Sequence, residues 1–407
     1  MGVDTSDSRL LTRIALRNYK SIAACDVCPT QLSFLVGPNG AGKSNFLDAL
    51  RFVADALRFS LDHALRDRGG INEVRRRSSG HPTHFGIRLE FSLENKHGHY
   101  AFEVGAESRG AYAIRREECW LAGRTSEDSG YYAVKRGQVV TSTVSPAPAA
   151  SRDRLYLVTL SGVTRFRPLY DALSQMGFYN LNPDAIRDVQ PPDPGELLNR
   201  DGSNIASVLS TLSNRSPKLK DRIEEYLAKV VPGISSVDRI EIGPKETLQF
   251  SQDVKGAKYP WKFLAANMSD GTLRAFGVLV ALFQSANNDH GARRLVGIEE
   301  PESALHPAAA GVLRDSLEDA SAYAQILVTS HSPDVLDDES IPEDSVLAVV
   351  AESGETKIGR LDEAGRSALR DRLFTAGELL RMDQLRPDPR ETVVPDQLNL
   401  FGAEPKS

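Results

Sequence analysis

The hydrophobic and polar positions near the start of the chain follow two different periods. Residues 11–19 alternate between apolar and polar side chains, and residues 32–36 form a short apolar run, so both segments are predicted strands. After a glycine-rich loop, apolar residues recur at helical spacing over residues 44–66, which predicts an amphipathic helix. A strand, a loop and a helix are therefore expected in succession.

Residues 84–143 show the pattern of antiparallel strands. Short runs of apolar, β-branched and aromatic residues are separated there by turn-forming residues such as 95–98. The expected strands are residues 85–93, 100–104, 111–120, 131–134 and 139–144. The stretch Ser-Pro-Ala-Pro-Ala-Ala at residues 145–150 follows them and is typical of a linker.

The second half of the chain changes its pattern twice. A mixed, mostly helical segment covers residues 154–230, and it ends with an expected helix over residues 217–229 that is bounded by prolines. From residue 263 onward helices and strands alternate, which is typical of a parallel sheet. The expected strands are residues 295–299, 325–329 and 346–350.

These patterns together predict an α/β fold built from several parts. We expect a core of mixed or parallel sheet, an antiparallel β subdomain and a mostly helical insertion. The expected segments are an N-terminal lobe at 1–150, a helical or mixed insertion at 151–262, a C-terminal lobe at 263–382 and a flexible tail at 383–407.

Composition and charge limit the classes of function. Of the 407 residues, 41% are hydrophobic and 26% are charged, which is typical of a globular protein. The formal net charge of −6 argues against a protein coated in positive charge for nucleic acid. The longest apolar run is residues 278–283, too short to cross a bilayer. We therefore expect no membrane-spanning helix. Three cysteines cannot build a disulfide framework, which suits a reducing compartment, so we expect a cytoplasmic protein.

Residues 37–44 carry the clearest chemical signal. They read Gly-Pro-Asn-Gly-Ala-Gly-Lys-Ser and match G-x-x-x-x-G-K-[ST], the phosphate-binding P-loop, between a predicted strand and a predicted helix. We expect Lys43 to reach the β and γ phosphates of ATP, and the Ser44 hydroxyl to hold Mg²⁺. The predicted nucleotide-binding residues of this loop are Gly37, Pro38, Asn39, Gly40, Ala41, Gly42, Lys43, Ser44 and Asn45.

A second apolar strand ends in paired carboxylates. In Leu-Val-Gly-Ile-Glu-Glu-Pro at residues 295–301, Glu299 is predicted to bind Mg²⁺, through water, and Glu300 to orient and polarise the attacking water. An acidic N-cap for the following helix is the alternative interpretation of such a pair. The P-loop upstream favours the catalytic interpretation.

The order of four motifs resembles a known group of ATPases. After the P-loop come Asn-Met-Ser-Asp-Gly-Thr at 267–272, Ile-Glu-Glu-Pro-Glu-Ser-Ala-Leu-His-Pro at 298–307 and Val-Thr-Ser-His-Ser-Pro at 328–333. This order resembles the ABC-type P-loop ATPases of the RecF, SMC and OLD group, and it is most similar to bacterial AAA-family ATPases with the phrase E-E-P-E-x-x-L-H-P. The resemblance covers most of residues 11–382, and it includes no Toprim domain.

The resemblance implies roles for further residues. Ser269 and Gly271 match the signature that touches the γ-phosphate bound by a second subunit, although Asp270 replaces the first glycine of the usual L-S-G-G. His331 matches the switch histidine that contacts the γ-phosphate, whereas a lone histidine in a loop is otherwise often a polar surface residue. No clear Q-loop follows the first helix, and Asn72 is the nearest candidate for its nucleotide-sensing residue.

The implied function is an ATP-hydrolysing switch with ATP and Mg²⁺ as cofactors. The resemblance implies a homodimer, or a higher oligomer, that acts in DNA repair or anti-phage defence and controls a separate effector such as a nuclease. Two alternatives stay open, the energy subunit of a membrane transporter and an ATP-binding scaffold without turnover. The transporter is disfavoured because E-E-P-E-x-x-L-H-P replaces the transporter phrase D-E-P-T-x-x-L-D.

Two short segments suggest partners. The basic run Arg75-Arg-Arg77 is either a solvated surface loop or a contact for the DNA backbone. Gln-Leu-Asn-Leu-Phe at residues 397–401 resembles the peptide by which bacterial DNA-maintenance proteins dock on the replication sliding clamp. In the alternative interpretation, the apolar side chains of this peptide fold back onto the ATPase body.

Overall fold

The computed structural model describes residues 9–402 except residues 79, 81, 94–95, 285–293, 392 and 396. The chain forms two compact units. The first contains the residues up to Met176 together with those from Glu339 onward, and the second is Gly177–Asp338. We call them the terminal unit and the middle unit, after their places along the chain.

The strands and helices alternate irregularly along the chain. Up to residue 176 they are β1 (Leu11–Tyr19), β2 (Ile22–Val27), β3 (Leu32–Val36), α1 (Lys43–Arg58), α2 (Leu61–Arg66), α3 (Ile71–Val74), β4 (His84–Leu93), β5 (Lys96–Ala106), β6 (Tyr112–Ala122), β7 (Gly130–Lys135), β8 (Gln138–Ser142), α4 (Tyr156–Thr159) and α5 (Arg167–Ser174). The middle unit contains β9 (Gly177–Tyr179), α6 (Pro183–Arg187), α7 (Ile205–Arg215), α8 (Pro217–Val230), β10 (Ile234–Ile242), β11 (Lys245–Gln252), β12 (Trp261–Leu264), α9 (Asp270–Phe283), β13 (Arg294–Glu299), α10 (Ala310–Ser321) and β14 (Ala324–Ser330). The terminal unit ends with β15 (Val346–Glu352), β16 (Glu355–Arg360), α11 (Glu363–Arg370) and α12 (Ala376–Arg381).

The terminal unit contains a mixed sheet in the order β8-β7-β6-β5-β4-β1-β2-β16-β15-β3. Strands β4 to β8 form an antiparallel meander, as the sequence pattern predicted. β15 pairs in parallel with β3, and β16 pairs in parallel with β2. Through this pairing, strands from near the end of the chain belong to the same compact unit as strands from its beginning. The bounds of the two units therefore differ from the segments expected at 1–150, 151–262 and 263–382.

The helix expected over residues 44–66 is two helices. α1 ends at Arg58, and α2 begins at Leu61 after Ser60, whose extended backbone and side-chain acceptor for the His63 N–H make it an N-cap. Apolar residues continue at helical spacing across this break, so the period alone does not reveal it. The N-cap residue Ser60 marks the start of the second helix, which the hydrophobic pattern did not predict.

The strands of the middle unit form two groups. β14, β13 and β9 lie side by side and are parallel. β10, β11 and β12 form a separate three-stranded antiparallel sheet in the region expected to be helical or mixed. Helix α9 is apolar on nearly all sides and buried from Ala275 to Phe283, so it forms the core of this unit. Within the described residues, no helix is both long and apolar enough to cross a membrane.

A buried carboxylate ties the antiparallel strands of the terminal unit to the segment after the linker. Glu117 on β6 is fully buried and accepts four hydrogen bonds. The hydroxyls of Tyr100 and Tyr132 donate at 3.1 and 2.9 Å, and the backbone N–H groups of Tyr156 and Leu157 donate at 2.6 and 2.9 Å. A buried carboxyl group is tolerated when it is this fully hydrogen-bonded, so Glu117 holds α4 on the sheet.

The last described residues pack on the same sheet. Leu398, Leu400 and Phe401 are 3%, 1% and 8% exposed and contact small residues of β1, β2 and β5, namely Ala15, Ala24 and Ala101. Arg88 donates to the Leu400 carbonyl at 3.0 Å, and the Arg116 guanidinium lies 4.3 Å from the centre of the Phe401 ring. The structure therefore favours self-packing over clamp docking for Gln397–Phe401, and residues 398–401 are not loose.

We expect Phe401→Ala to lower the free energy of unfolding by roughly 3 kcal/mol, because truncating a buried phenylalanine removes apolar contacts and leaves a cavity. Urea denaturation of the variant and the parent measures the difference. Val394→Ala, at a position that is 46% exposed, is the matched control and should change little. An unchanged unfolding curve for Phe401→Ala would mean that the tail does not pack here in solution, and it would revive the clamp interpretation.

Candidate functional site

The predicted P-loop lies between β3 and α1 in the terminal unit. Strand β3 ends at Val36, and α1 begins at Lys43. Gly40 and Gly42 adopt positive φ angles of 77° and 102°, which residues with a side chain rarely adopt. This backbone curls the loop so that its N–H groups and the N-terminal end of a 16-residue helix are available to an anion.

Two strands from near the end of the chain hold the loop in place. A Cβ atom on Gly37 would lie 1.9 Å from the Val349 carbonyl oxygen on β15, so only glycine fits. A Cβ atom on Gly42 would lie 2.1 Å from Thr356 Oγ1 on β16. The Thr356 hydroxyl donates to the Ala41 carbonyl at 2.9 Å. The shape of the P-loop therefore depends on residues more than three hundred positions away along the chain.

Lys43 is buried and points back over the loop. Its ammonium donates to the carbonyls of Gly37 at 2.7 Å and Pro38 at 3.0 Å, and the residue is 4% exposed. Ser44, by contrast, is exposed, as are the residues at the tip of the loop, Pro38 to Gly40. Asn45 donates to the Ser21 hydroxyl at 2.7 Å. The loop thus contains one lysine and one solvent-exposed serine hydroxyl, the two side-chain groups that a P-loop uses for phosphate and Mg²⁺.

A charged cluster anchors α1 behind the P-loop. Asp48 accepts hydrogen bonds from the Tyr19 hydroxyl at 2.8 Å and from the buried Arg68 guanidinium at 3.0 Å, and Lys20 lies 2.6 Å away. Burial acts to raise the pKa of Asp48, but Arg68, Lys20 and Arg51 together hold that pKa below its usual value. The ionised carboxylate therefore fixes the helix that carries Lys43 and Ser44.

The arginine run and the predicted sensor residue engage each other. Asn72 is exposed on α3, and its side-chain oxygen accepts from Arg75 at 3.0 Å. Arg76 forms an ion pair with Glu355, and Arg77 forms one with Glu73. Because carboxylates already neutralise two of the three charges, the run is poorly suited to contact DNA phosphates. The structure favours the surface-loop interpretation.

In the middle unit, the predicted metal-binding carboxylate has a partner that the sequence did not reveal. Glu299 is the last residue of β13, and its Oε1 lies 2.7 Å from the Arg200 guanidinium. The carboxylate is 17% exposed, whereas the arginine side chain is 43% exposed. Arg200 is therefore the more solvent-exposed partner of this ion pair.

Glu300 and His331 are brought together. The Nδ1 atom of His331 lies 3.2 Å from Oε1 of Glu300. Glu300 has a positive φ of 44°, and its backbone is fixed from both sides: its N–H donates to the Thr329 carbonyl at 3.0 Å, and its carbonyl accepts from Arg274 at 3.0 Å. A non-glycine residue in this conformation is strained, and the surrounding hydrogen bonds hold it there.

A third carboxylate supports the histidine loop. Glu302 Oε1 accepts from the Ser330 hydroxyl at 2.7 Å, and the N–H of His331 lies 3.4 Å from the same oxygen. Glu302 and His331 line a cavity of about 220 Å³ together with His306, Pro307 and Asp334. No role was predicted for Glu302 from the sequence, although it is the last residue of the E-E-P-E phrase.

The signature residues lie at the start of α9. Ser269 is its N-cap: the Ser269 hydroxyl accepts from the Thr272 N–H at 3.2 Å, and the residue is exposed. A Cβ atom on Gly271 would lie 2.6 Å from the Ala304 carbonyl oxygen. The charge of Asp270, the unusual residue of this motif, is neutralised by an ion pair with Arg187.

Comparison with known families identifies the chain. The family described as "AAA domain, putative AbiEii toxin, Type IV TA system" matches residues 32–337. The chain belongs to this AAA-domain family. The match confirms the predicted kinship with AAA-family P-loop ATPases, and it spans every predicted site residue from Gly37 to His331.

One solved structure shows that this AAA-domain chain has a fold like that of an SMC head. One structure, described as the Smc head bound to the C-winged helix domain of ScpA, matches with a TM-score of 0.53 and 15% identity, over 86% of this chain and 96% of that chain. The Smc head domain with an extended coiled coil, bound to the C-terminal domain of ScpA derived from Pyrococcus furiosus, has a TM-score of 0.49 and 12% identity over 89% and 99%. The first match confirms the predicted ABC-type α/β fold. None of the curated proteins matches this chain.

Two oxygen groups of this AAA-domain chain are each suited to Mg²⁺, the metal that a P-loop implies. The Ser44 hydroxyl is exposed, and the Glu299 carboxylate forms an ion pair with the half-exposed Arg200. Both are hard oxygen ligands of the kind that Mg²⁺ prefers. Among the described residues, no cluster of three or more His, Cys, Asp or Glu side chains forms a metal site by itself.

Proposed function

We propose that this chain binds and hydrolyses ATP, dimerises head to head around two nucleotides, and acts as a switch for a separate effector such as a nuclease. The setting we propose is the cytoplasm, in DNA repair or anti-phage defence. The observation that carries the proposal is the contact of 3.2 Å between Glu300 and His331 in a chain that also has a complete P-loop. A scaffold that only binds ATP would have no need of this pair.

Each residue would act through charge and position. Lys43 would bind the β and γ phosphates, and Glu300 would accept a hydrogen bond from the attacking water and polarise it. His331, whose ring is oriented by Glu300, would contact the γ-phosphate. Ser44 and Glu299 would hold Mg²⁺, which neutralises negative charge on the phosphate oxygens when it is bound. Arg200 would leave Glu299 at that stage.

The comparisons support the proposed setting. The matching family is named after AbiEii, a putative toxin of a type IV toxin–antitoxin system, which is in keeping with a role in defence. The similar Smc head is bound to a winged-helix domain of ScpA, so a head of this fold accepts a separate protein partner. We propose that the effector of this chain is likewise a separate polypeptide.

ATP turnover is tested by phosphate release with Mg²⁺. The parent protein should release phosphate from ATP, and Lys43→Ala should not, because the loop loses the charge that binds the β and γ phosphates. Phosphate release by the parent at the level of Lys43→Ala would remove the hydrolytic function and leave the scaffold alternative.

We expect Ser269→Arg to bind ATP but to lose ATP-dependent dimerisation, because the signature serine would face the γ-phosphate bound by the second subunit. Light scattering after size exclusion, in the Glu300→Gln background with ATP and Mg²⁺, measures the dimer. Ser235→Arg, an exposed serine on β10, is the matched control.

A second variant separates the interface from the helix cap. Ser269→Asp keeps a good N-cap for α9 but places a negative charge toward the phosphate, so it should also fail to dimerise. Because aspartate caps as well as serine, loss of the dimer in both variants cannot come from fraying of α9. Dimers of normal stability in both would overturn the head-to-head arrangement.

A further inference from the structure

An exposed aromatic segment lies at the edge of the three-stranded sheet in the middle unit. β12 is the outer strand of the order β10-β11-β12. Tyr259, just before it, is 71% exposed, the highest value among the large hydrophobic residues of the described chain, and Trp261 at its start is 55% exposed. Residues that expose this much ring surface add little to the stability of the fold.

The tryptophan ring is nevertheless held in place. Trp261 lies 6.3 Å from Phe263, centre to centre, and Phe263 pairs across the sheet with Phe250. Phe250 is fully buried and contacts Phe276 of α9 at 5.7 Å. Trp261 therefore lies beside a half-buried ring whose cross-strand neighbour belongs to the core. This contact limits the freedom of the exposed indole ring.

The same segment carries a local positive charge. Lys255, Lys258 and Lys262 are exposed, and residues 254–269 contain no aspartate or glutamate, although the whole chain has a net charge of −6. Within the described chain, none of these three lysines forms an ion pair, in contrast to the arginines at 76 and 77. The Lys258 ammonium lies 5.5 Å from the centre of the Tyr259 ring. We call residues 255–263 the lysine–aromatic strip.

We propose that the lysine–aromatic strip binds single-stranded nucleic acid. Tyr259 and Trp261 stack on unpaired bases, and Lys255, Lys258 and Lys262 neutralise the phosphates between them. Tyr259 lies in a bend just before β12, and the following Pro260 restricts its backbone, which limits the positions that the tyrosine ring can take. The bases of a duplex are already stacked on each other and offer no face to these rings, so the strip selects single strands.

Other occupants of the strip fit less well. A membrane surface would favour aliphatic as well as aromatic anchors, but the exposed large hydrophobic residues of segment 253–264 are the two aromatic ones. A peptide that adds a strand to β12 would use backbone hydrogen bonds and has no need of three lysines. Aromatic rings that can stack on bases, flanked by lysines that can contact phosphates, fit a single-stranded nucleic acid better than either alternative.

The lysine–aromatic strip lies close along the chain to the signature residues Ser269 and Gly271. β12 is followed by a turn at Ala265–Asn267 and then by Ser269, the N-cap of α9. A ligand that orders β12 therefore acts within a few residues of the proposed dimer contact. Binding of the strand itself does not require ATP, so it can be measured separately from the proposed switch.

The chain offers an internal optical probe, because Trp120 and Trp261 are its only tryptophans. Oligo(dT) added without nucleotide should quench part of the tryptophan fluorescence, since a stacked base quenches the indole of Trp261. Trp120→Phe should keep the quenching, and Trp261→Phe should lose it. Quenching that persists in Trp261→Phe, or that is absent from the parent at micromolar oligonucleotide, would overturn the proposal.

Fluorescence anisotropy of labelled oligo(dT) tests the two contributions separately. The double variant Tyr259→Ala/Trp261→Ala should bind at least about tenfold more weakly, and Tyr323→Ala, a half-exposed aromatic residue elsewhere in the unit, should bind like the parent. Replacing the three lysines with glutamine should reduce the slope of log affinity against log salt by roughly 2, at about 0.7 per phosphate contact.

Two further ligands complete the test. A labelled duplex should bind more weakly than oligo(dT), and vesicles of phosphatidylglycerol should not quench Trp261. Equal affinity for duplex, or quenching by vesicles in place of oligo(dT), would overturn single-strand recognition. The assays use Lys43→Ala protein in parallel, so a failed ATP switch cannot be mistaken for a failed nucleic-acid site.

Discussion

Glu300→Gln should bind ATP and turn it over at least about 10²-fold more slowly than the parent, within the range of about 10²–10⁴ for loss of a general base. The amide that replaces the carboxylate cannot accept the proton of the attacking water. Its contact with His331, at 3.2 Å in the parent, also loses its charge. Phosphate release gives the rate, and isothermal titration gives the affinity for ATP.

The variant should also accumulate as a dimer with ATP, because bound nucleotide is no longer consumed. Glu318→Gln, an exposed acid on α10, is the matched control and should turn over ATP like the parent. The backbone at Glu300 is held by Thr329 and Arg274 and does not depend on the side chain, so glutamine should leave the fold intact. A parental rate in Glu300→Gln would show that another group activates the water.

Glu117→Ala should lower the free energy of unfolding of the terminal unit by about 3–5 kcal/mol. The substitution leaves two buried tyrosine hydroxyls and two buried backbone N–H groups without an acceptor, and each costs about 1–3 kcal/mol before relaxation. Chemical denaturation followed by circular dichroism measures the loss. Glu107→Ala, at an exposed carboxylate paired with Arg152, should change stability by less than about 1 kcal/mol.

The buried carboxylate also predicts a dependence on pH. Burial raises the pKa of Glu117, and its four hydrogen bonds lower it only in part. A raised pKa in the folded state means that the protonated form stabilises the fold, and that this contribution is lost as pH rises through the folded-state pKa, above 4.5. Glu117→Gln, which cannot ionise, should lack this part of the pH dependence. An identical pH profile in the parent and the Gln variant would contradict the shift.

Local patterns predicted much of the fold. The apolar run at residues 32–36 is β3 to the residue, and the five strands expected between residues 84 and 144 are β4 to β8 with small shifts at their ends. Each of these signals is contained within a few consecutive residues. The three-stranded sheet was missed because polar and charged residues make up more than half of β10 and β11, which weakens the apolar alternation that marks a strand.

The partners of the site residues were beyond local reasoning. Arg200 on Glu299, Arg187 on Asp270 and Ser330 on Glu302 are pairs between segments that are distant along the chain. Nothing in the spacing of residues specifies which side chains such segments bring together. The motifs therefore indicated which residues carry chemistry, and only the folded chain shows which neighbours orient or neutralise them.

The packing of the P-loop has a consequence for the order in which the protein matures. The Thr356 hydroxyl donates to the carbonyl of Ala41, which lies 315 positions earlier, and the Val349 carbonyl packs against Gly37. These contacts cannot form until β15 and β16 have left the ribosome. A nascent chain that stops before residue 349 contains the whole G-x-x-x-x-G-K-[ST] motif but lacks both of these contacts. We therefore expect the P-loop to reach its final shape late in translation, when Ser269, Glu300 and His331 have already been made.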